Sequence, residues 1–359
     1  MNEVLKLRSE QVVALLKEMI RRPSHSGEEG AVADLIEARL REGGVVPKRL
    51  HNNIFAYADG YDPQRETLML NSHIDTVRPA ASYTRDPYSP DEIDGKIYGL
   101  GSNDAGASVA ALVETFIAWA HKPLPYNLLL AISAEEERSG EKGMRALLPT
   151  LGKVDMALVG EPTDMQAAIG ERGLVVLDCT AHGTSGHAAH GEAVNAIYVA
   201  LRDIERLQNF KFERVSPLLG DIRISTTMIS AGSQHNIIPD TCSFVVDMRT
   251  TDAYTNEEVV TLISEALSSD VKPRSTRIRA SAIGETHPLA QAATRAGRSL
   301  FVSHTSSDMS LMEFPTLKMG IGDTHRSHSA DEYVLRSEIV EGVAIYEDYL
   351  TQFTKYYGN

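Results

Sequence analysis

Two adjacent glutamates, Glu135 and Glu136, stand where the apolar run Leu128–Leu129–Leu130–Ala131–Ile132 gives way to polar sequence. Four more metal-ligand side chains follow apolar or glycine-rich stretches in the same way. They are His73 after Leu68–Met69–Leu70, Asp104 after Tyr98–Gly99–Leu100–Gly101, Glu161 after Ala157–Leu158–Val159–Gly160, and His328 after Leu317–Lys318–Met319–Gly320–Ile321–Gly322. In an open α/β sheet, side chains at the carboxyl ends of strands converge on one crevice. Two histidines and three carboxylates gathered there would hold two divalent ions, which hydrolases place ~3.5–4 Å apart with one carboxylate bridging them. One glutamate is then left over to move protons. Asp75 lies two residues beyond His73, on the same face of an extended chain, and is expected to accept the second imidazole N–H and so fix the metal-binding tautomer.

The elements that must position these groups are legible in outline. A chain of 359 residues is long for a single hydrophobic core, so two domains are expected. Val12, Val13, Leu15, Leu16, Met19 and Ile20 recur at helical spacing up to Pro23. Ser26 and Glu29 have capping-box form before a second helix through Ala31, Leu35, Ile36 and Leu40, with Gly43–Gly44 as its stop. Strand patterns at 53–58, 67–72, 127–133 and 155–160 alternate with helical ones at 105–120 and 141–149, the signature of a mostly parallel sheet covered by helices. After Gly170 the character changes. Strand patterns at 174–181, 222–231, 242–249 and 276–282, with helical ones at 193–207 and 256–268, predict a small α+β domain. From 285 the first pattern returns, with 290–301, 315–321 and a closing helix at 335–356. The expected architecture is an α/β catalytic domain built from 1–173 and 285–359, with an inserted α+β lid or dimerisation domain at 174–284.

Composition excludes several partners. A formal net charge of −14 argues against nucleic acid and anionic membranes. No uncharged run approaches the ~20 residues that span a bilayer. The segment 4–20 carries Lys6, Arg8, Glu10, Lys17 and Glu18 among its apolar residues, which makes it an amphipathic helix and not a secretory signal. Cys179 and Cys242 both lie in apolar strand-like runs, as buried core residues would, so a reducing cytoplasm is the expected compartment.

Seven segments together resemble the zinc aminoacylase family that includes acetylornithine deacetylase, succinyl-diaminopimelate desuccinylase and glutamate carboxypeptidases. They are Ser72-His73-Ile74-Asp75-Thr76-Val77, Tyr98-Gly99-Leu100-Gly101-Ser102-Asn103-Asp104, Ala134-Glu135-Glu136-Glu137, Gly160-Glu161-Pro162, Gly186-His187-Ala188, Asn236-Ile237-Ile238-Pro239-Asp240 and His328-Ser329-Ala330-Asp331-Glu332. The resemblance implies two zinc ions, with cobalt as an alternative. It implies that His73 and Glu161 hold one ion, Glu136 and His328 the other, and that Asp104 bridges them. Glu135 would be the general base. His328 takes precedence over His325 because Glu332 follows it at the family's spacing. A cis peptide after Asp104 is also implied, and small Ala105 suits it. One departure is that Gly106 stands where the family commonly has a lysine.

The chemistry this predicts is amide hydrolysis by a metal-activated water, with a carboxylate carrying the proton to the leaving amine. By resemblance, His187 would steady the oxyanion from the inserted domain of a dimer partner. Arginine matches a substrate carboxylate in bidentate fashion, which singles out Arg172 and Arg249, supported by Asn236. The expected substrate is a small N-acyl-L-amino acid of the arginine route, such as N-acetylornithine or N-acetylcitrulline. The alternative is an N-succinyl substrate, either succinyl-diaminopimelate or a succinylated ornithine or citrulline, with Ser303–Asp308 contributing to the acyl pocket. An aminopeptidase fits the two arginines less well, and a non-catalytic metal-binding scaffold would have no use for Glu135.

Overall fold

A computed structural model describes residues 3–357 of the chain, which form an α/β protein whose central sheet is mostly parallel. The chain divides into two compact units. The first comprises residues up to Ile169, Ile283–Phe301 and those from Ser307 onwards; the second comprises Gly170–Ala282 with Val302–Ser306. The insert expected at 174–284 can be set beside this second unit, which takes in the short segment 302–306 as well.

In the first unit, the strands Asn127–Ser133, Thr67–His73, Met156–Val159 and Thr316–Lys318 lie side by side and parallel. Antiparallel strands flank them: Asn53–Tyr57 on one side, and Ala167–Glu171 on the other. Thr67–His73 and Asn127–Ser133 are buried at every position, and so their sequences read as continuous apolar runs with no alternation. Met69, Leu129, Ala131, Ala157 and Val159 face a layer that contains Met144, Leu147, Met309 and Met312. Helix Ala107–Trp119 packs against strands Thr67–His73 and Asn127–Ser133, and is itself packed on by helices Glu3–Ile20 and Arg336–Tyr357. Nearly all its residues are buried, which its many alanines allow at close range.

Two local expectations change. Helix Gly30–Glu42 has no side-chain cap at its N-terminus. Ser26 Oγ donates instead to Asp75 Oδ2 at 2.6 Å, and the Glu29 carboxylate accepts from Gly27 N, Asn52 Nδ2 and Glu135 N. A stronger tertiary demand takes both halves of the capping box. The helix expected over 141–149 is reduced to Met144–Leu147 with a tight turn at Leu148–Thr150, where Pro149 stands.

The second unit is a four-stranded antiparallel sheet in the order Arg223–Ala231, Thr241–Thr250, Gly173–His182, Asp270–Ile278. Alternate residues of the two inner strands (Val175, Leu177, Cys179; Phe244, Val246, Met248) share a core with Ala196, Ala200 and Leu207 of helix Ala196–Asn209 and Val259 and Ile263 of helix Asn256–Ala266. Among the described residues, no helix is long and apolar enough to cross a membrane.

Gly106, which stands where the resemblance leads one to expect a lysine, lies in a tight turn. It donates to the Gly101 carbonyl at 2.9 Å, and a Cβ at position 106 would lie 2.4 Å from that same oxygen. We expect Gly106→Ala to force this turn open and to lower stability by about 1–3 kcal/mol, read as a lower denaturant midpoint at unchanged slope. A variant as stable as wild type would show that the turn has room to spare.

Candidate metal centre

His73 is the last residue of its strand, and Asp75 fixes its ring. Nδ1 lies 3.0 Å from the Asp75 carbonyl and 3.4 Å from Asp75 Oδ1. That leaves Nε2 facing Asp104 Oδ1 at 3.3 Å and Glu161 Oε1 at 3.7 Å. Asp75 has a second task. Its two carboxylate oxygens accept the backbone N–H groups of Glu136 (2.9 Å) and Glu137 (3.1 Å). One buried carboxylate thus ties the end of strand Thr67–His73 to the turn that follows strand Asn127–Ser133.

On that turn the structure corrects the expected register. The glutamate beside His328 is Glu137, with Oε2 2.9 Å from His328 Nε2, whereas the family resemblance implies Glu136. Asp104, Glu137 and His328 present ligand atoms all within 4.8 Å of one another, as do His73, Asp104 and Glu161. Glu135, expected as the general base, turns away. Its backbone is left-handed (φ 55°), and its carboxylate is held by the Arg138 guanidinium and by the N–H of Lys142 at 3.1 Å. The chain curls after Ala134 into a tight turn over Glu136–Arg138, so side-chain directions no longer follow strand alternation. Three consecutive glutamates offer two registers for a neighbouring pair, and nothing local chooses between them.

Asp104 does not come from the central sheet. It sits on the five-residue turn Ser102–Gly106, after the strand Lys96–Tyr98, which pairs with Tyr333–Leu335 and Glu92–Ile93 in a separate three-stranded sheet. The Asp104–Ala105 peptide is cis, as the resemblance implied. Glu332 shapes this turn: its buried carboxylate accepts from the N–H groups of Gly101 (2.9 Å), Asn103 (2.8 Å) and Asp104 (2.9 Å). The two oxygens of Asp104 consequently face different imidazoles, Oδ1 towards His73 and Oδ2 towards His328 at 3.7 Å. His328 itself has left-handed backbone (φ 56°) and is more than half exposed.

The electrostatics are those of crowded acids. Burial pushes the Glu161 carboxyl up to about 8, with His73 offsetting and Asp104 adding to the shift. Burial likewise drives Glu136 well above the usual carboxylate range, and the Glu161, Asp308 and Glu137 carboxylates reinforce it against His73. Asp308, which accepts a 2.6 Å hydrogen bond from Ser133 Oγ, is pushed up to about 6 by burial. Burial opposes a charge on His73, but Glu161, Asp104 and Asp75 outweigh it and raise the imidazole well above its ordinary value. His328 rises to about 9, chiefly through its contact with Glu137.

Among these acids, Glu161 Oε1 is buried without any hydrogen-bond partner. An unsatisfied buried carboxylate oxygen beside an imidazole nitrogen is costly in a bare protein and is what a cation would relieve. Hard oxygen and imidazole donors suit zinc, cobalt or manganese. The residues present therefore fit divalent metal.

The remaining expected site residues belong to the second unit. His187 is exposed on the short strand Gly186–His187, which pairs with Ile237–Ile238. Arg172 donates to the carbonyls of Asp221 (2.7 Å) and Leu219. Arg249 is paired with Asp247, Nε to Oδ1 at 2.9 Å, the surface ion pair that competes with a substrate role. Asn236 Oδ1 is buried and has no hydrogen-bond partner.

A model of peptidase family M20/M25/M40 matches residues 69–352, from the His73 strand to the closing helix. The chain belongs to this family. The succinyl-diaminopimelate desuccinylase of Paracoccus denitrificans is 30% identical over 268 residues, covering 70% of each chain. Its counterpart from Cereibacter sphaeroides strain KD131 is 31% identical over 271 residues, covering 70% of this chain and 71% of its own. Among solved structures, aminopeptidase PepT of Bacillus cereus superposes with a TM-score of 0.76 at 17% identity, covering 98% of this chain and 99% of that one. Bacillus subtilis YXEP, described as a dinuclear metal-binding peptidase of the M20 family, gives 0.72 at 16% identity over 97% and 98%. These last two establish the fold. As an M20/M25/M40 member, the protein is a metal-dependent hydrolase of amide bonds.

The raised carboxyls set a pH dependence for metal-free protein. Glu161 and Glu332 both bind their proton more tightly when folded, with values near 8. The folded state therefore holds more protons than the unfolded one above the ordinary carboxylate range, and stability falls as pH rises towards 8. Chelated protein should melt higher at pH 5.5 than at pH 8, and added Zn2+ should raise the melting temperature more at pH 8, where the ligands are deprotonated. A chelated protein whose stability stays flat or climbs over that interval would contradict this account.

Proposed function

We propose that the protein hydrolyses the amide bond of an N-succinyl-L-amino acid, using two divalent ions held by this cluster. The carrying observation is the aspartate between two imidazoles: one oxygen of Asp104 addresses His73, and the other addresses His328. A carboxylate so placed would be shared by a pair of ions, with His73 and Glu161 to hold one and Glu137 and His328 to hold the other. Zinc is the proposed metal. When bound, such ions polarise the scissile carbonyl and bring the pKa of a water down towards ~7.

Glu136 is the proposed general base. Glu137 beside it serves as ligand, and Glu136 lies among Glu161, Asp308 and His73 without belonging to either ligand triad. Its elevated affinity for a proton suits a group that takes one from the attacking water and delivers it to the departing amine. Asp75 holds the imidazole of His73 and the backbone of both glutamates, so it is a positioning residue. His187 is proposed to steady the oxyanion from the second unit of a partner copy in a homodimer. An edge strand supports such pairing: among the described residues Arg223–Ala231 pairs with Thr241–Thr250 alone, and it exposes Met228 and Ile229, the kind of edge that another chain covers. Arg249, Asn236 and Arg172 are proposed to read substrate carboxylates. Asn236 has a free acceptor, and Arg249 would exchange Asp247 for the ligand.

The acyl group is chosen on similarity. The relatives at 30–31% identity are named for removing succinyl from diaminopimelate, which favours a dicarboxylic acyl chain over acetyl and the lysine route over the arginine route. N-acetylornithine and N-acetylcitrulline remain the second reading, carried by the motifs shared with acetylornithine deacetylases. Amine release from succinyl- and acetyl-forms of diaminopimelate, ornithine and citrulline decides between them. Succinyl substrates should give the higher kcat/KM, and an acetyl preference across all three amines would reverse the assignment.

Two variants test the roles. Glu136→Gln should cut kcat by roughly 10²–10⁴-fold, the range of a lost general acid–base group, while elemental analysis still finds two metals per chain. Turnover near wild type would remove Glu136 from the proton path. Sedimentation should find a dimer, and His187→Ala should lower kcat more than it raises KM. A fully active monomer would sink the partner's role.

A further inference from the structure

Glu135 is buried to 5% exposure and carries a carboxylate that the proposed chemistry does not use. Every polar part of it is nevertheless engaged. Oε1 accepts from Arg138, Oε2 from the N–H of Lys142, the backbone N–H donates to Glu29 Oε1 at 3.2 Å, and the carbonyl accepts from Gly140 N at 2.8 Å. The loop has no slack around this side chain. A Cβ at Gly140 would lie 2.0 Å from Glu135 Oε2, and one at Gly143 would lie 2.1 Å from the Ala134 carbonyl. The two residues that follow Glu135 are the base and the ligand of the reading above.

We propose that Glu135 and Arg138 form a positioning pair, which sets the turn carrying Glu136 and Glu137 and thereby the affinity of the Asp104–Glu137–His328 metal position. The proposal rests on the role of Glu137 as ligand. Two anchors hold the turn from opposite sides. Asp75 takes the N–H groups of Glu136 and Glu137, and the Arg138–Glu135 pair closes the loop on itself across residues 135–142. If Arg138 is lost, the buried Glu135 charge keeps one backbone donor and must move towards water, because burying an uncompensated charge is costly. Any rotation of Glu135 passes directly to Glu136 and Glu137 through the backbone. The position built on His73 and Glu161 takes no ligand from this turn and meets it only through Asp75 and the shared Asp104, so it should change less. Glu135 is therefore not a spare base but the hinge pin of the turn.

Arg138 is half exposed, so its replacement should leave the fold intact. Titration of the apoprotein with Co2+, followed by visible absorption and by calorimetry, would resolve two binding steps. In Arg138→Met one of the two steps should loosen by about 10–100-fold, as when a group that orients a metal ligand is lost, with the other changing far less. Arg138→Lys should recover part of the loss, and Glu135→Gln should reproduce the Arg138→Met titration with kcat reduced and KM little changed. The proposal is overturned if Arg138→Met leaves both steps unaltered, or weakens both equally. It is also overturned if Glu135→Gln abolishes turnover with both metals bound at wild-type affinity, since Glu135 would then be the proton carrier. These outcomes are independent of Glu136→Gln, which tests the base assignment alone.

Discussion

A surplus of buried negative charge governs this molecule. Asp75, Asp104, Glu136, Glu137, Glu161, Asp308 and Glu332 crowd around the imidazoles of His73 and His328 at one end of the central sheet. Carboxylates that close cannot all ionise in a medium less polar than water unless cations join them. The raised affinity of Glu161, Glu136 and Glu332 for protons and the orphaned oxygen of Glu161 are two expressions of the same imbalance. Divalent ions would restore balance, so metal binding and the stability of this end of the sheet are one physical problem.

The acids differ in what binds them, and that difference assigns their work. Asp75 and Glu332 are satisfied by backbone N–H groups, which holds each in a single orientation and lets it fasten a loop. Asp104, Glu137 and Glu161 turn their oxygens towards imidazole nitrogens and are the ligand-like ones. Glu135 is consumed by its own loop. Among the described residues Glu136 shows no hydrogen bond through its carboxylate, which suits the proton-carrying role proposed for it. Glu29 and Ser26 belong to the same scheme: both are drawn from helix capping to brace the Glu135 turn and Asp75.

Much of this was readable from the chain alone because the parallel strands are buried on both faces. Leu68–Met69–Leu70, Leu128–Ile132 and Ala157–Val159 are unmistakable as strands, and a ligand residue directly after such a run has few other places to be. The same logic misled where the chain leaves regular structure. Asp104 was expected from a strand of the central sheet but arrives on a turn beside a separate small sheet, held there by a glutamate more than two hundred residues away in sequence. Asp308, at the end of the segment 303–308 expected near the acyl group, lies buried against Ser133 beside the acid cluster, a placement with no local signature.

Residue types and apolar spacing pointed to the α/β fold class and to a metal-dependent hydrolase, because periodicity depends only on local order. The amide chemistry and the ligand set came from the resemblance of the motifs to the zinc aminoacylase family. Which of three consecutive glutamates faces His328 was decided by the tertiary structure. A one-residue choice within a turn has no periodic signature. It is made by Asp75 gripping two backbone N–H groups from another strand, and by a left-handed Glu135 turned back on its own loop.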